Sequence, residues 1–380
     1  MTTSPTVPTR TTAPALTAFP MHGQHKLISE GYRTRDGHLI EWFGELLAPH
    51  GHVAVLSRPE PLPLSLRYRV LRGTVAPNTR GYPSTSVRMP NLSDRRKWWV
   101  TSLPDYRGFV DGRPTPVIAW NPFLSLSSAW KEIVASGQPL VFDLLDDWTI
   151  HYAFESVRGE VTEAYRRIFD HATAVTANSE ATRDLARSFG RDDAQLVTNG
   201  CDPERFATTS LATGPTTVGY VGKIGRRVDL DLVLGVTSAL PSVRFVFAGP
   251  ILDAEYEAPL KRQPNIELLG DVHYSKVPAL LQTFDIGWVP HRVGEGEVGG
   301  DVIKTYEYRA AWLPVITTPV LGASSRGLQH VVALPAAEHE RWFADQAAQG
   351  PRVARREGAI PPEATWSGKA RHLLSELGLG

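Results

Sequence analysis

The chain reads as an α/β protein of two doubly wound, parallel-sheet domains facing each other across a cleft. Three observations point there. Short apolar runs of strand length alternate with stretches of helical spacing from residue 15 almost to residue 335. The 380 residues, 42% hydrophobic and 21% charged, suffice for two ordinary domains with separate cores. Between the alternating stretches, residues 207–216 (ATTSLATGPT) are small, polar and uncharged, as a linker is. Two such domains around a linker enclose a cleft where two substrates can meet.

Residues 1–14 (MTTSPTVPTRTTAP) lack the roughly 7–15-residue apolar region of a secretion signal, so a disordered tail is expected. The first domain is expected over 15–206. Residues 15–19 and 52–57 suit strands and flank a helix expected at 36–50. Residues 58–94, dense in Pro, Gly, Arg and Ser, predict long loops. Residues 116–120 and 140–145 read as strands around a helix at 123–135. Residues 157–169, 172–178, 180–189 and 194–198 continue as helix, strand, helix and strand. The second domain is expected over 217–361, opening with a strand at 217–221 and a helix from about Asp229. The tail, 362–380, sets Trp366, Leu373, Leu374 and Leu377 at helical spacing.

Composition excludes several classes. Lys plus Arg and Asp plus Glu are both 40, so no global basic field draws the chain to nucleic acid. The single cysteine, Cys201, excludes an intrachain disulfide and points to the cytoplasm. It reads as a small packed residue rather than a nucleophile. No run approaches the ~20 apolar residues of a membrane span, so any membrane contact is expected to be peripheral.

Chemistry concentrates in the second domain. Gly222-Lys223-Ile224-Gly225-Arg226-Arg227 follows a strand and precedes a helix; glycines there allow close backbone approach, and cations suit a diphosphate. Lys304 and Glu307 are three apart, so on a helix they share a face, with Gly300 and Asp301 just upstream. A lysine near the helix start can neutralise phosphate while a glutamate one turn on accepts ribose hydroxyls. The order VGYVGKIGRRVDLDLVL, VRFVFAGP, PNIELLGDV, FDIGWVPH and GDVIKTYEYRAAWLPVITTPVLG resembles the nucleotide-binding half of a GT-B glycosyltransferase of the retaining family 4 type. The likeness covers about 215–335 well and 140–206 more loosely.

That resemblance implies two Rossmann-like domains and a last helix crossing back to the first. It implies a nucleoside-diphosphate sugar as co-substrate, with no cofactor and no metal. Lys223 occupies the first phosphate position, and Arg226 and Arg227 compete for the second. Glu307 matches the family's second glutamate. Gly249 would face the base or ribose, and Val272 to Tyr274 would give backbone contacts to the nucleobase. The family pattern wants an acid at position 299, where this chain has Gly299; Asp301, Glu297 or Glu295 could stand in.

In the first domain, Asp146, Asp147 and Trp148 follow a buried-looking strand, with His151 three residues on. The stretch resembles a family 4 branch of teichuronic-acid-type transferases. It suits acceptor binding or structural capping; acids plus His also make a metal-ligand set. Asp146 and His151 are the backup bases. Asn178-Ser179-Glu180 and Asn199-Gly200-Cys201-Asp202 read as helix caps shaping the hinge. His22 and Gly23 follow the first strand, with Arg35, Asp36 and His38 just beyond as candidate acceptor-pocket residues. Trp98 and Trp99 close the basic run Arg95-Arg96-Lys97, which could meet anionic lipid, hold a small acceptor, or form an ordinary charged edge.

The expected activity is retaining, metal-independent transfer from a GDP- or UDP-sugar to a small secondary-metabolite acceptor of antibiotic type. A polyprenyl-linked cell-envelope acceptor is the alternative. The rivals are a sugar-nucleotide epimerase or hydrolase and a non-catalytic nucleotide-sugar-binding partner. Donor nucleotide, donor sugar and oligomeric state leave no trace in the residues.

Overall fold

A computed structural model describes residues 13–68, 75–294, 300–320 and 322–380. Residues 1–12 of the expected tail, and Gly299, Glu295 and Glu297, lie outside the described residues.

The first unit is a seven-stranded parallel sheet. Its strands are β1 (Pro14–Phe19), β2 (His52–Leu56), β4 (Thr79–Tyr82), β6 (Val117–Ala119), β7 (Leu140–Leu144), β8 (Ala174–Ala177) and β9 (Gln195–Leu196). Their order is β4-β2-β1-β6-β7-β8-β9, so the winding reverses between β1 and β6. A separate two-stranded sheet pairs β3 (Glu60–Pro61) with β5 (Thr85–Ser86). The helices are α1 (Gln24–Glu30), α2 (Arg35–Leu46), α3 (Leu62–Tyr68), α4 (Trp98–Thr101), α5 (Trp130–Ala135), α6 (Arg158–His171) and α7 (Glu180–Ser188).

The second unit repeats the plan. Strands β10 (Thr217–Val221), β11 (Arg244–Ala248), β12 (Ile266–Gly270), β13 (Ile286–Val289), β14 (Val315–Thr317) and β15 (Val331–Ala333) are ordered β12-β11-β10-β13-β14-β15, all parallel. Its helices are α8 (Leu230–Ala239), α9 (Glu257–Arg262), α10 (Val277–Gln282), α11 (Ile303–Ala310) and α12 (Ala336–Ala347). The central strands β7, β11 and β13 are near-continuous apolar runs because helices cover both sheet faces.

The last helix, α13 (Trp366–Glu376), crosses back to the first unit. Trp366, Ala370, Leu373 and Leu374 pack with Leu39, Ile40 and Phe43 of α2 in one core. Burying such side chains stabilises by about 1.5–3 kcal/mol each, enough to tether the units. The two crossing segments run side by side: the Cys201 amide donates to the Ala364 carbonyl at 3.1 Å and the Trp366 amide to the Cys201 carbonyl at 3.1 Å.

The structure departs from the expectations in four places. Two residues expected in the tail belong to the first sheet: Pro14 opens β1, and the Ala13 carbonyl accepts from the His52 amide at 3.3 Å. The crossing lies at 199–202 rather than 207–216. Phe206 already packs in the second unit's core, and the Leu211 amide donates to the Gln282 carbonyl at 2.7 Å. The helix expected at 123–135 is broken into a 3₁₀ turn, Pro122–Leu126, and α5. There the Ser125 and Ser127 hydroxyls donate back to backbone carbonyls, offering the chain an alternative to the helix. The 58–94 stretch is not all loop: it contains α3, strand β4 of the main sheet and the small β3–β5 sheet.

Candidate functional site

In a doubly wound sheet the ligand crevice opens where the winding reverses, beyond the strands' carboxyl ends. In the second unit that point lies between β10 and β13. The loop after β10 carries Gly222, Lys223, Arg226 and Arg227. Gly249, after β11, has φ 156°, and a side chain there would collide with the Gly222 carbonyl. The two strand ends therefore touch backbone to backbone.

Helix α11 aims its first turn at this crevice. Lys304 lies across Gly222, its Nζ 5.1 Å from the centroid of the Tyr220 ring. Burial, with the Arg227 cation nearby, lowers Lys304 to about 8. Glu307, one turn on, is 5% exposed. Burial raises it to about 7, against the pull of Tyr274 and Lys304. Tyr220 donates to the Lys223 carbonyl at 2.9 Å, and Tyr308 accepts from the Val221 amide at 2.8 Å, fixing the loop's start. His291, after β13, is buried and held well below its ordinary pKa by burial and by the Lys304 and Arg227 cations. The sequence reading singled out neither Tyr220 nor His291; each stands at or beside a strand's carboxyl end, the one signal that could have found it.

The two arginines separate. Arg227 opens into the cleft with its side chain 48% exposed and donates to Asp146 across it at 3.1 Å. Arg226 turns outward towards Asp253 and Glu255, with its guanidinium 4.9 Å from the centre of the Tyr152 ring. Arg227 is thus the arginine beside Lys304. Lys223, half-buried and lowered by burial, feels Lys26, Glu30 and Arg33 of the first unit.

On the first unit's wall, His22 follows β1. Its amide donates to Asp36 at 3.3 Å, and burial lowers its ring pKa despite that carboxylate. Gly23 caps α1. Asp146, at the end of β7, is half-buried and paired with Arg227. Asp147 accepts from the amide and hydroxyl of Thr149 at 2.8 and 2.5 Å, which makes it a turn-former. His151 Nδ1 accepts from the Ala153 amide at 3.0 Å, leaving the proton on Nε2. Burial lowers its pKa, so the ring is neutral with its proton on Nε2. Each of the three groups of the suggested metal set is thus engaged elsewhere.

Several expected acceptor residues are structural instead. Arg35 is 2% exposed; its fork meets both oxygens of fully buried Asp143 at 2.7 and 2.9 Å, and it reaches the Thr198 carbonyl at 3.0 Å. Asp143 also accepts from Trp120 and Thr176. A buried cation and carboxylate persist only when so satisfied, and here they tie α2 to β7 beneath the cleft. His38 is wholly buried, stacked on Trp366 at 4.9 Å and edge-on to Tyr274; burial lowers it to about 3. Trp98 is 6% exposed and donates to the Pro59 carbonyl at 2.9 Å. Trp148 is buried against Phe154, with centroids 4.4 Å apart. Trp99 remains half-buried, with the Arg58 guanidinium 3.8 Å over its ring.

Asp301 does not face the donor crevice either. It accepts from the Asn199 amide at 2.8 Å, from Tyr306 at 2.6 Å and from Arg326 at 2.9 Å, and Arg326 also pairs with Glu180 of the first unit. Beside it, Gly300 (φ 91°) donates to Ser179 at 3.1 Å, and a side chain there would press on Asp146. At the opposite rim, Arg33 reaches Asp271 at 2.8 Å and the Val272 carbonyl at 3.4 Å. Tyr274 is 4% exposed and its side chain is core; the nucleobase contact expected of it is a backbone one, which this burial does not touch.

Among the described residues, His38, Glu41 and Asp202 have metal-ligand spacing. Arg205 already pairs with both carboxylates, at 2.8 Å to Glu41 and 3.0 Å to Asp202, so a cation's place there is filled. Cys201 is fully buried and its thiol is pushed up by burial, which makes it inert. Among the described residues, no helix is long and apolar enough to cross a membrane.

Two doubly wound units, a cation-lined crevice between them and a returning last helix define the GT-B fold. The family model for a glycosyl transferase 4-like domain matches residues 37–201, and that for glycosyl transferases group 1 matches 215–349. The chain belongs to the family 4-like glycosyltransferases of GT-B fold. It is 23% identical over 238 residues to TuaH of Bacillus subtilis (strain 168), a candidate teichuronic acid biosynthesis glycosyltransferase, and the match covers 57% of this chain and 58% of that protein. The chain thus spans less than two thirds of that relative's length. Among solved structures, a UDP-forming trehalose-phosphate synthase from Burkholderia xenovorans is similar with a TM-score of 0.59, 13% identity and coverage of 96% and 99% of the two chains. HepE of Anabaena, in complex with UDP and glucose, gives 0.57, 14%, 96% and 95%. AviGT4, a glycosyltransferase involved in avilamycin A biosynthesis, gives 0.53, 15%, 96% and 97%.

Proposed function

We propose that the protein transfers a sugar from a nucleoside-diphosphate donor, UDP- or GDP-linked, with retention of configuration and without a metal ion. The observation that carries this reading is the placing of Lys304, Arg227 and Lys223 around the switch point of the second unit, with Glu307 one turn along the same helix. Breaking the bond between the sugar and the diphosphate leaves negative charge on the departing oxygen. Cations fixed in a crevice partly shielded from water stabilise that charge as it develops. Glu307 accepts hydrogen bonds from the ribose hydroxyls. The acceptor hydroxyl bonds to the anomeric carbon from the leaving group's face and gives its proton to a phosphate oxygen, so the step closes without a protein base. His151, with its Nε2 protonated, supports this by donating rather than accepting.

Of the two acceptor classes read from the sequence, a small secondary metabolite and a polyprenyl-linked intermediate, a specific observation favours the second: a basic, apolar surface beside the first unit's cleft wall. The test of the activity is release of UDP or GDP from a panel of nucleotide sugars in the presence of a chelator. Release abolished by Lys304→Ala supports the reading; release only on adding a divalent cation contradicts it.

A further inference from the structure

Among its described side chains, the stretch from 58 to 97 holds six Lys and Arg against two acids, Glu60 and Asp94, in a chain whose overall charge is zero. It also holds the most exposed apolar side chains in the described structure: Val87 at 82%, Met89 at 83% and Leu92 at 82%. Helix α3 adds Leu62, Leu64 and Leu66 at 41%, 39% and 50%. That helix is inverted: Ser65, between its leucines, is 7% exposed and bonded to Thr85 at 3.2 Å, while the leucines face water.

The two apolar segments leave the same end of one small sheet. Strands β3 and β5 are parallel, pairing Glu60 with Thr85 and Pro61 with Ser86. Leu62 and Val87 are the next residues of each chain, so α3 and the 87–92 loop leave the same end of this small sheet. Around them Arg88, Arg95, Arg96 and Lys97 are exposed. The surface adjoins the cleft, because the segment leaves the carboxyl end of β2, and Trp98 and Trp99 anchor it through Pro59 and Arg58.

We propose that this face docks on an anionic lipid bilayer and brings the first unit's cleft wall to the membrane surface, where a lipid-linked acceptor is presented. Side chains more than four-fifths exposed stand proud of the surface instead of lining a groove, which suits insertion among acyl chains and gives a partner protein no pocket to fill. Surrounding cations complement anionic headgroups, and a few inserted side chains with a basic rim give reversible, salt-sensitive binding. Aliphatic tips offer nothing for bases to stack on, which sets nucleic acid aside. The membrane step extends the transferase reading above, but its test is independent of it.

The test is co-sedimentation of the full chain with vesicles of phosphatidylglycerol and phosphatidylcholine, against phosphatidylcholine alone. Binding is expected to be at least about fivefold greater to the anionic vesicles and to fall as salt shortens the Debye length. The triple variant Val87→Glu, Met89→Glu, Leu92→Glu should lose it while keeping the wild-type thermal shift with UDP or GDP, which shows that it is folded. Equal binding to both vesicle types, or undiminished binding by the triple variant, overturns the proposal. So does a light-scattering mass that halves in the triple variant, since the face would then join two copies of the chain. Loss of the nucleotide shift in wild type with vesicle binding intact would strike the transferase reading alone.

Discussion

Arg227 of the second unit donates to Asp146 of the first at 3.1 Å, so the arginine best placed for a donor phosphate is held by a carboxylate across the cleft. A diphosphate must draw Arg227 from that partner or share it. On the proposed donor site, the ion pair is a brake on donor binding as well as a link between the units. Gly300 donating to Ser179, and Arg326 bridging Glu180 and Asp301, hold the same rim.

Removing the brake should strengthen donor binding. Half of the Arg227 side chain is exposed, so solvent screening keeps the pair to roughly 0.5–1 kcal/mol. Asp146→Asn is expected to tighten UDP or GDP binding about two- to fivefold by calorimetry. A looser complex would show that Asp146 helps to hold the donor.

The helix α11 pair gives a pH signature. Glu307 is raised from 4.5 to about 7, so the folded state keeps a proton that the unfolded chain has lost. Stability from this group is present below pH 4.5 and falls as pH rises to 7. Glu307→Gln should therefore raise the melting temperature at pH 8, by an amount equivalent to about 1–3 kcal/mol, and change little at pH 4. No difference between the two pH values would refute the raised carboxyl.

Lys304 moves the other way, from 10.5 to about 8. On the proposed function, its cationic form is the one that meets the diphosphate. Affinity should weaken as pH climbs through 8, by up to about tenfold per unit, as binding takes up a proton. Its stability effect has the opposite sign to that of Glu307: a lowered lysine costs stability below pH 8, and that cost disappears as pH rises towards 10.5.

Arg35 and Asp143 are a buried pair, 2% and 0% exposed at the side chain. Asp143→Asn leaves the guanidinium uncompensated and should cost about 3–5 kcal/mol in denaturant unfolding. Nucleotide affinity of the folded fraction should not change. A variant of full stability with altered acceptor use would return Arg35 to the acceptor site.

The parallel-sheet core was legible because β7, β11 and β13 are covered on both faces and read as near-continuous apolar runs, broken only by Asp143 in β7 and by Arg244 at the exposed start of β11. Lys304 and Glu307 were legible because their three-residue spacing fixes a shared helix face whatever the packing. Arg35, His38 and Asp301 misled for one reason: a polar residue near a strand end looks alike in sequence whether it faces a cleft or a buried partner. Only the Asp143 fork, the Trp366 ring and the Arg326 pair decide the matter. Helix α3 escaped because its leucines face water and its serine faces the protein, which inverts the pattern by which helices are read. The divergence of Arg226 and Arg227 was equally hidden, since adjacent residues on a turn point apart by an angle that sequence does not encode.

The most direct test of the donor site is calorimetric titration of UDP and GDP into wild type and Lys304→Ala, with a chelator present. The account predicts that one diphosphate binds wild type without a divalent metal, and that Lys304→Ala weakens it by at least about tenfold, the loss of one buried charge-assisted contact. Equal affinity for both proteins would contradict the placing of the donor phosphates at the carboxyl end of β10 and the start of α11.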